Sequence, residues 1–190
     1  DDDREPVIAP LKFGHIAYRV NDPKKITDFY CNVLGFRVSD WIGDHFSFLR
    51  CGPDHHTVNF ARYDEEKLHH IAFEVNDVHE VFGGGMAYAD KGHVTDTGPG
   101  RHPISSAYFW YFKNPLGGSI EYFADPDWVT EQGWKPHNYT VNRFSEWHLP
   151  DGLPATDGTP GGAASGKSVR KALKAADKLE RPVPMPIKRK

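Results

Sequence analysis

Gly14-His-Ile-Ala-Tyr-Arg-Val-Asn-Asp22 recurs 55 residues on as His69-His-Ile-Ala-Phe-Glu-Val-Asn-Asp77, with His15 and His70 in the same slot. Each copy is apolar and rich in β-branched residues, the pattern of a strand, and each is followed by a stretch of helical character. The repeat predicts a duplicated unit. Its first copy, residues 11–63, reads as a strand through His15, a helix over 23–33, and strands near 36–41, 45–50 and 57–61. Its second copy, residues 68–123, reads as a strand through His70, a helix over 78–89, and strands near 93–96, 107–112 and 119–123. Neither copy is large enough to bury its own sheet. The two are therefore expected to pack as paired βαβββ halves of one α+β domain, residues 11–125, around a cleft.

At 190 residues, 38% hydrophobic and 26% charged, the chain has room for one domain of moderate size and some flanking segments. No stretch approaches the length of a membrane span, and the acidic segment 1–10 carries no hydrophobic signal core. Those features lead to the expectation of a cytoplasmic protein with no membrane partner. Cys31 and Cys51 are too few for a disulfide framework and are expected to be reduced packing residues.

Residues 167–190 hold nine Lys or Arg against two Asp or Glu, so the rest of the chain is acidic. An acidic body argues against a nucleic-acid partner, which needs a basic face. Residues 126–149, with Trp128, Trp134 and Trp147 among polar and Pro residues, are expected to cover the sheet edge or the site mouth. Residues 150–190 read as a Gly/Pro-rich linker followed by a basic tail. Within that tail Val169, Leu173, Ala176 and Leu179 fall at helical spacing, either a solvated tail or a helix that docks on a partner subunit.

Side chains alternate along a strand, so His69 and His70 cannot both face the cleft, and the repeat selects His70 as the mate of His15. Two residues on from each stands an Ala, Ala17 or Ala72, leaving room above the imidazole. In the closing strand Glu121 is an acid inside the apolar run Ser119-Ile-Glu-Tyr-Phe123 and needs a partner. Two His and one carboxylate on facing strands are the donor set of the facial triad, which leaves adjacent metal positions open and suits oxygen chemistry. The alternative for each residue alone is a hydrogen-bonded core side chain.

Residues 12–126 also resemble a known family. Gly14-His15, Leu68-His-His-Ile-Ala-Phe-Glu-Val75, Gly98-Pro-Gly-Arg-His102, Ala107-Tyr-Phe-Trp-Tyr111 and Ser119-Ile-Glu-Tyr122 together resemble the type I extradiol ring-cleaving dioxygenases of the vicinal oxygen chelate superfamily. The resemblance implies that His15, His70 and Glu121 bind Fe(II), less often Mn(II). It implies that His56, with His55 as runner-up, is the acid/base, and that His102 and Tyr111 contact the substrate. It further implies a catechol-type aromatic substrate, O₂ as co-substrate, a role in aromatic hydrocarbon catabolism and self-association into a homo-oligomer. Enzymes of this kind that act on carboxylate-bearing catechols carry an Arg where this chain has Thr97, which argues against an acidic substituent. The best-known relatives contain two such double modules, so the chain is a one-module enzyme or a fragment.

Two rivals share the fold. A glyoxalase-like isomerase or lyase needs a fourth ligand on the last strand of the first half, and Thr57-Val-Asn-Phe60 offers no carboxylate. A metal-free small-molecule binding protein has no need of His15, His70 and Glu121 together.

Overall fold

A computed structural model describes residues 8–130, 133–140 and 144–149. The linker and basic tail fall outside the described residues, as does most of the acidic segment. The first half runs β1 (Lys12–Val20), α1 (Pro23–Leu34), β2 (Arg37–Ile42), β3 (Phe46–Arg50) and β4 (Val58–Arg62). The second runs β5 (Lys67–Glu74), α2 (Val78–Asp90), β6 (Thr95–Arg101), β7 (Tyr108–Lys113) and β8 (Ser119–Ala124). Short strands β9 (His137–Tyr139) and β10 (Trp147–His148) follow.

Local chemistry sets the helix ends. Asp22 caps α1 by accepting the Lys25 N–H, Pro23 takes the first turn, where no N–H is missed, and Gly35 closes it in the left-handed conformation. Asp77 caps α2 in the same way through the Glu80 N–H.

All ten strands form one sheet in the order β10-β6-β7-β8-β5-β1-β4-β3-β2-β9. Each half pairs its first strand parallel to its last, β1 with β4 and β5 with β8, and the halves join through the antiparallel β1–β5 pair. A pseudo-twofold therefore passes between β1 and β5. On one face, Val20, Leu49, Val58 and Phe60 pack beneath α1, and Val75, Trp110, Phe112 and Tyr122 pack against Val81 of α2. The opposite face forms the cleft.

The second helix contains three consecutive glycines, Gly83, Gly84 and Gly85, which lower helix propensity. Their presence is a packing requirement, because a β-carbon on Gly85 would collide with the Trp110 indole and one on Gly84 with the Tyr122 ring. Gly85→Ala should therefore lose about 1–3 kcal/mol by overpacking. Urea unfolding would show this as a lowered midpoint with an unchanged slope.

The sequence-predicted strand at 93–96 lies further on, at Thr95–Arg101, and takes in the Gly98-Pro-Gly100 segment, which the expected strands at 93–96 and 107–112 leave out. Register shifts between Thr95 and Thr97 and between Thr97 and Gly100 absorb the Pro, and β10 then pairs with Gly100 and Arg101. Among residues 126–149, β9 extends one edge of the sheet and β10 the other. No helix among the described residues is long and apolar enough to cross a membrane.

Candidate metal centre

The register of the sheet brings distant residues into one place. His15 on β1 stands opposite Ala72 on β5, and Ala72 opposite Glu121 on β8; on the next rung Ala17 faces His70. His15 and Glu121 are thus two strands apart with only a methyl group between them. Their side chains lean across it, placing His15 Nε2 3.2 Å from Glu121 Oε2. His70 Nε2 closes the triangle at 3.0 Å from His15 Nε2 and 3.3 Å from the same carboxylate oxygen. All three residues are buried, with Glu121 1% exposed.

The triangle fits a divalent cation. Donors about 2.1 Å from an ion and at right angles to one another lie about 3 Å apart, close to the spacing of these three atoms. Glu121 Oε2 is buried and has no hydrogen-bond partner, a costly state for a carboxylate unless a cation meets it. Burial alone would raise the Glu121 carboxyl, but His102, His15 and His70 around it outweigh that and hold it well below the ordinary carboxylate range. His70 is pushed far down by burial, so its imidazole is neutral and its lone pair is free for a metal.

Alternation along β5 fails at His69. Ala17 pairs with His70 but Tyr18 with Leu68, so His69 is the extra residue of a β-bulge. His70 lines the cavity and His69 does not, yet the two rings stay in contact, with His69 Nδ1 2.7 Å from His70 Nδ1. Burial and then Arg19 lower the His69 pKa to about 4, which keeps this neighbour neutral and able to accept a hydrogen bond from His70 Nδ1–H. His69 backs His70 instead of pointing away from it, a role that only the bulge reveals.

Around the triangle lies a cavity whose walls include Phe46, Phe48, Ile104, Phe123 and Phe144. Phe46 and Phe48 stack with centroids 4.7 Å apart. His55 and His56 both line this cavity; the His56 ring centroid is 4.1 Å from that of His15, and His55 Nε2 contacts Asp40 at 2.8 Å. Burial, followed by the neighbouring imidazoles, drives the His56 pKa well below its usual value.

Across the cavity His102 lies flat on Phe109, with centroids 3.9 Å apart, and its Nδ1–H donates to the Phe144 carbonyl at 2.8 Å. Its Nε2 lies 3.2 Å from the Tyr111 hydroxyl and 3.8 Å from Glu121 Oε1. Burial and the Glu121 carboxylate raise the Tyr111 pKa well above its ordinary value, so the phenol keeps its proton. The contact with Phe144 shows segment 126–149 holding a wall residue in place. No Lys or Arg is among the described residues that line the cavity.

Sequence reasoning found no carboxylate in Thr57-Val-Asn-Phe60 but did not single out Asn59. The pseudo-twofold that exchanges His15 with His70 and Ala17 with Ala72 also exchanges Glu121 with Asn59, because Asn59 on β4 pairs with Ala17 as Glu121 on β8 pairs with Ala72. Asn59 lines the cavity, and its Oδ1 is buried without a partner. The fourth corner of the duplicated site is therefore a neutral carboxamide. Only strand pairing exposes this equivalence, since the local sequences around Asn59 and Glu121 differ.

Over residues 12–129 the sequence matches the Glyoxalase/Bleomycin resistance protein/Dioxygenase superfamily. It is 34% identical over 137 residues to metapyrocatechase 2 of Cupriavidus necator, covering 70% of this chain and 43% of that protein. It is 24% identical over 160 residues to a manganese-dependent 2,3-dihydroxybiphenyl 1,2-dioxygenase of Geobacillus genomosp. 3, covering 77% of this chain and 51% of that one. The chain thus spans about half the length of these curated relatives. The fold is similar to the crystal structure of a Mn(II)-bound glyoxalase from Novosphingobium aromaticivorans, with a TM-score of 0.71 and 28% identity over 84% of this chain and 55% of that one. With the family match spanning both βαβββ halves and the donors they bring together, the chain belongs to the Glyoxalase/Bleomycin resistance protein/Dioxygenase superfamily.

Proposed function

We propose that the chain carries the catalytic centre of an extradiol dioxygenase, opening the ring of an uncharged catechol-type substrate with O₂ at an Fe(II) ion, or alternatively Mn(II). The observation that carries this reading is the donor triangle of His15, His70 and Glu121 set beside His56 at the base of an aromatic-walled cavity. When bound, the ion supplies the redox chemistry, bringing an aromatic diol and O₂ together so that electrons pass between them. Two histidines and a single carboxylate would offset only part of the charge of a divalent ion held there, which would favour loss of one hydroxyl proton from the diol.

The protein's own groups have separate tasks. His56, half-buried and kept neutral by desolvation and by the neighbouring imidazoles, takes a hydroxyl proton from the diol and returns it later to the opened ring. Tyr111 and His102 provide a hydroxyl and an imidazole on the opposite wall that hold the substrate oxygens. Phe46, Phe48 and Phe123 pack against the planar ring and exclude water. With no Lys or Arg among the described lining residues, nothing there balances a carboxylate on the substrate. His70 Nδ1–H donates to His69 and so keeps its Nε2 aimed at the ion.

Activity against an Fe(II)-loaded preparation tests this reading. Catechol should drive O₂ uptake with loss of the aromatic absorbance, while a glutathione hemithioacetal, the substrate type of a glyoxalase, should not turn over. Hemithioacetal isomerisation without O₂ uptake would overturn the proposal in favour of the same-fold isomerase.

Asn59 provides a second check on the same distinction. Asn59→Glu would place a carboxylate at the symmetry mate of Glu121 and complete a four-donor set. Metal retention should be unchanged or improved, and ring cleavage should fall by about 10–100-fold. Wild-type turnover in that variant would show that the fourth corner does not border the reacting groups.

A further inference from the structure

We propose that Asp40 and His55 are positioning residues that hold the proton of His56 on Nδ1 and present its bare Nε2 to the cavity. The chain of contacts starts in β2, where a register shift between Val38 and Asp40 leaves both Ser39 and Asp40 buried. Asp40 and His55 are each 1% exposed, and their 2.8 Å contact joins Asp40 Oδ2 to His55 Nε2. The other carboxylate oxygen is also occupied. Asp40 Oδ1 accepts the backbone N–H of His137 at 2.7 Å, at the point where β9 pairs with β2.

Proton positions follow from this arrangement. A carboxylate has no hydrogen to give, so His55 must donate through Nε2–H, and a neutral imidazole with its proton there has an acceptor at Nδ1. That acceptor lies 2.9 Å from His56 Nδ1, so the hydrogen between the two rings belongs to His56. His56 then has its lone pair on Nε2, at the edge of the ring turned away from His55 and toward the cavity that it lines. Trp134 fixes the arrangement from behind. Its ring meets His55 edge-on with centroids 5.6 Å apart, and its Nε1–H donates to the Ser39 carbonyl at 2.9 Å.

The tautomer assignment stands on geometry alone; its effect on turnover rests on the acid/base role given to His56 above. Asp40→Asn separates the two. Because the His137 N–H demands an acceptor, the amide oxygen takes the Oδ1 place and the NH₂ faces His55. His55 Nε2 must then accept, its proton moves to Nδ1, and His56 receives that hydrogen bond and carries its own proton on Nε2.

The full chain, ¹⁵N-labelled and loaded with diamagnetic Zn(II), would report both states through long-range ¹H–¹⁵N correlations of the ring nitrogens. The wild type should show His55 protonated on Nε2 and His56 on Nδ1, and Asp40→Asn should show both reversed. With iron in place, Asp40→Asn should keep its metal and its KM and lose kcat by about 10²-fold or more.

A wild-type His56 protonated on Nε2 overturns the proposal, and that spectrum decides even if the variant does not fold. Unchanged tautomers in Asp40→Asn with a fallen kcat also overturn it, by reducing Asp40 to a packing residue. Reversed tautomers with undiminished ring cleavage would uphold the positioning and overturn instead the acid/base role of His56.

Discussion

Glu121→Ala is expected to abolish metal binding, lowering affinity for Fe(II) by more than about 100-fold and ring cleavage with it. The reason is local. Glu121 supplies the only carboxylate of the triangle, 3.2 and 3.3 Å from the two imidazole nitrogens, and two imidazoles alone offer neither the charge nor the third contact. The same substitution has a second signature. The stabilisation that Fe(II) confers on the wild type by binding only the folded state should vanish in the variant. Metal analysis after dialysis and thermal melts with and without iron would check both. Full iron occupancy in Glu121→Ala would refute the ligand assignment.

His56→Ala is expected to separate binding from chemistry. The ring lies against His15 and lines the cavity, yet stands outside the donor triangle, so the variant should keep one metal per chain and still bind catechol anaerobically. Its kcat should fall by about 10²–10⁴-fold, the usual contribution of a positioned acid or base. Loss of metal from His56→Ala would mean that the segment between β3 and β4 supplies a ligand, and the triad would have to be redrawn.

Much of this arrangement can be read in the sequence because the duplication writes it twice. His15 and His70 announce themselves as equivalent positions in a repeated phrase, and the strand and helix order of each half follows from apolar periodicity and from breaks such as Gly35. Glu121 is visible as an acid where alternation calls for an apolar residue. What escapes is whatever depends on pairing between distant strands. Asn59 becomes the counterpart of Glu121 only when β4 is laid against β1 and β8 against β5. The contact of His69 with His70 depends on a bulge, a departure from alternation that no pattern of apolar residues specifies. Asp40 and His55 are 15 residues apart, and Asp40 meets the His137 N–H across 97, so neither contact leaves a local signal. Strands of three and two residues, β9 and β10, are too short for periodicity to register. The displacement of β6 has a similar origin, because Gly98, Pro99 and Gly100 are turn-forming residues that register shifts carry inside a strand.

We propose that the duplicated sheet assembles one metal centre from His15, His70 and Glu121, and anomalous diffraction at the iron absorption edge, from crystals of the Fe(II)-loaded chain grown without O₂, tests it. A single strong peak is expected within coordination distance of His15 Nε2, His70 Nε2 and Glu121 Oε2. A peak elsewhere, or full iron content in solution with no peak at these three atoms, would contradict it.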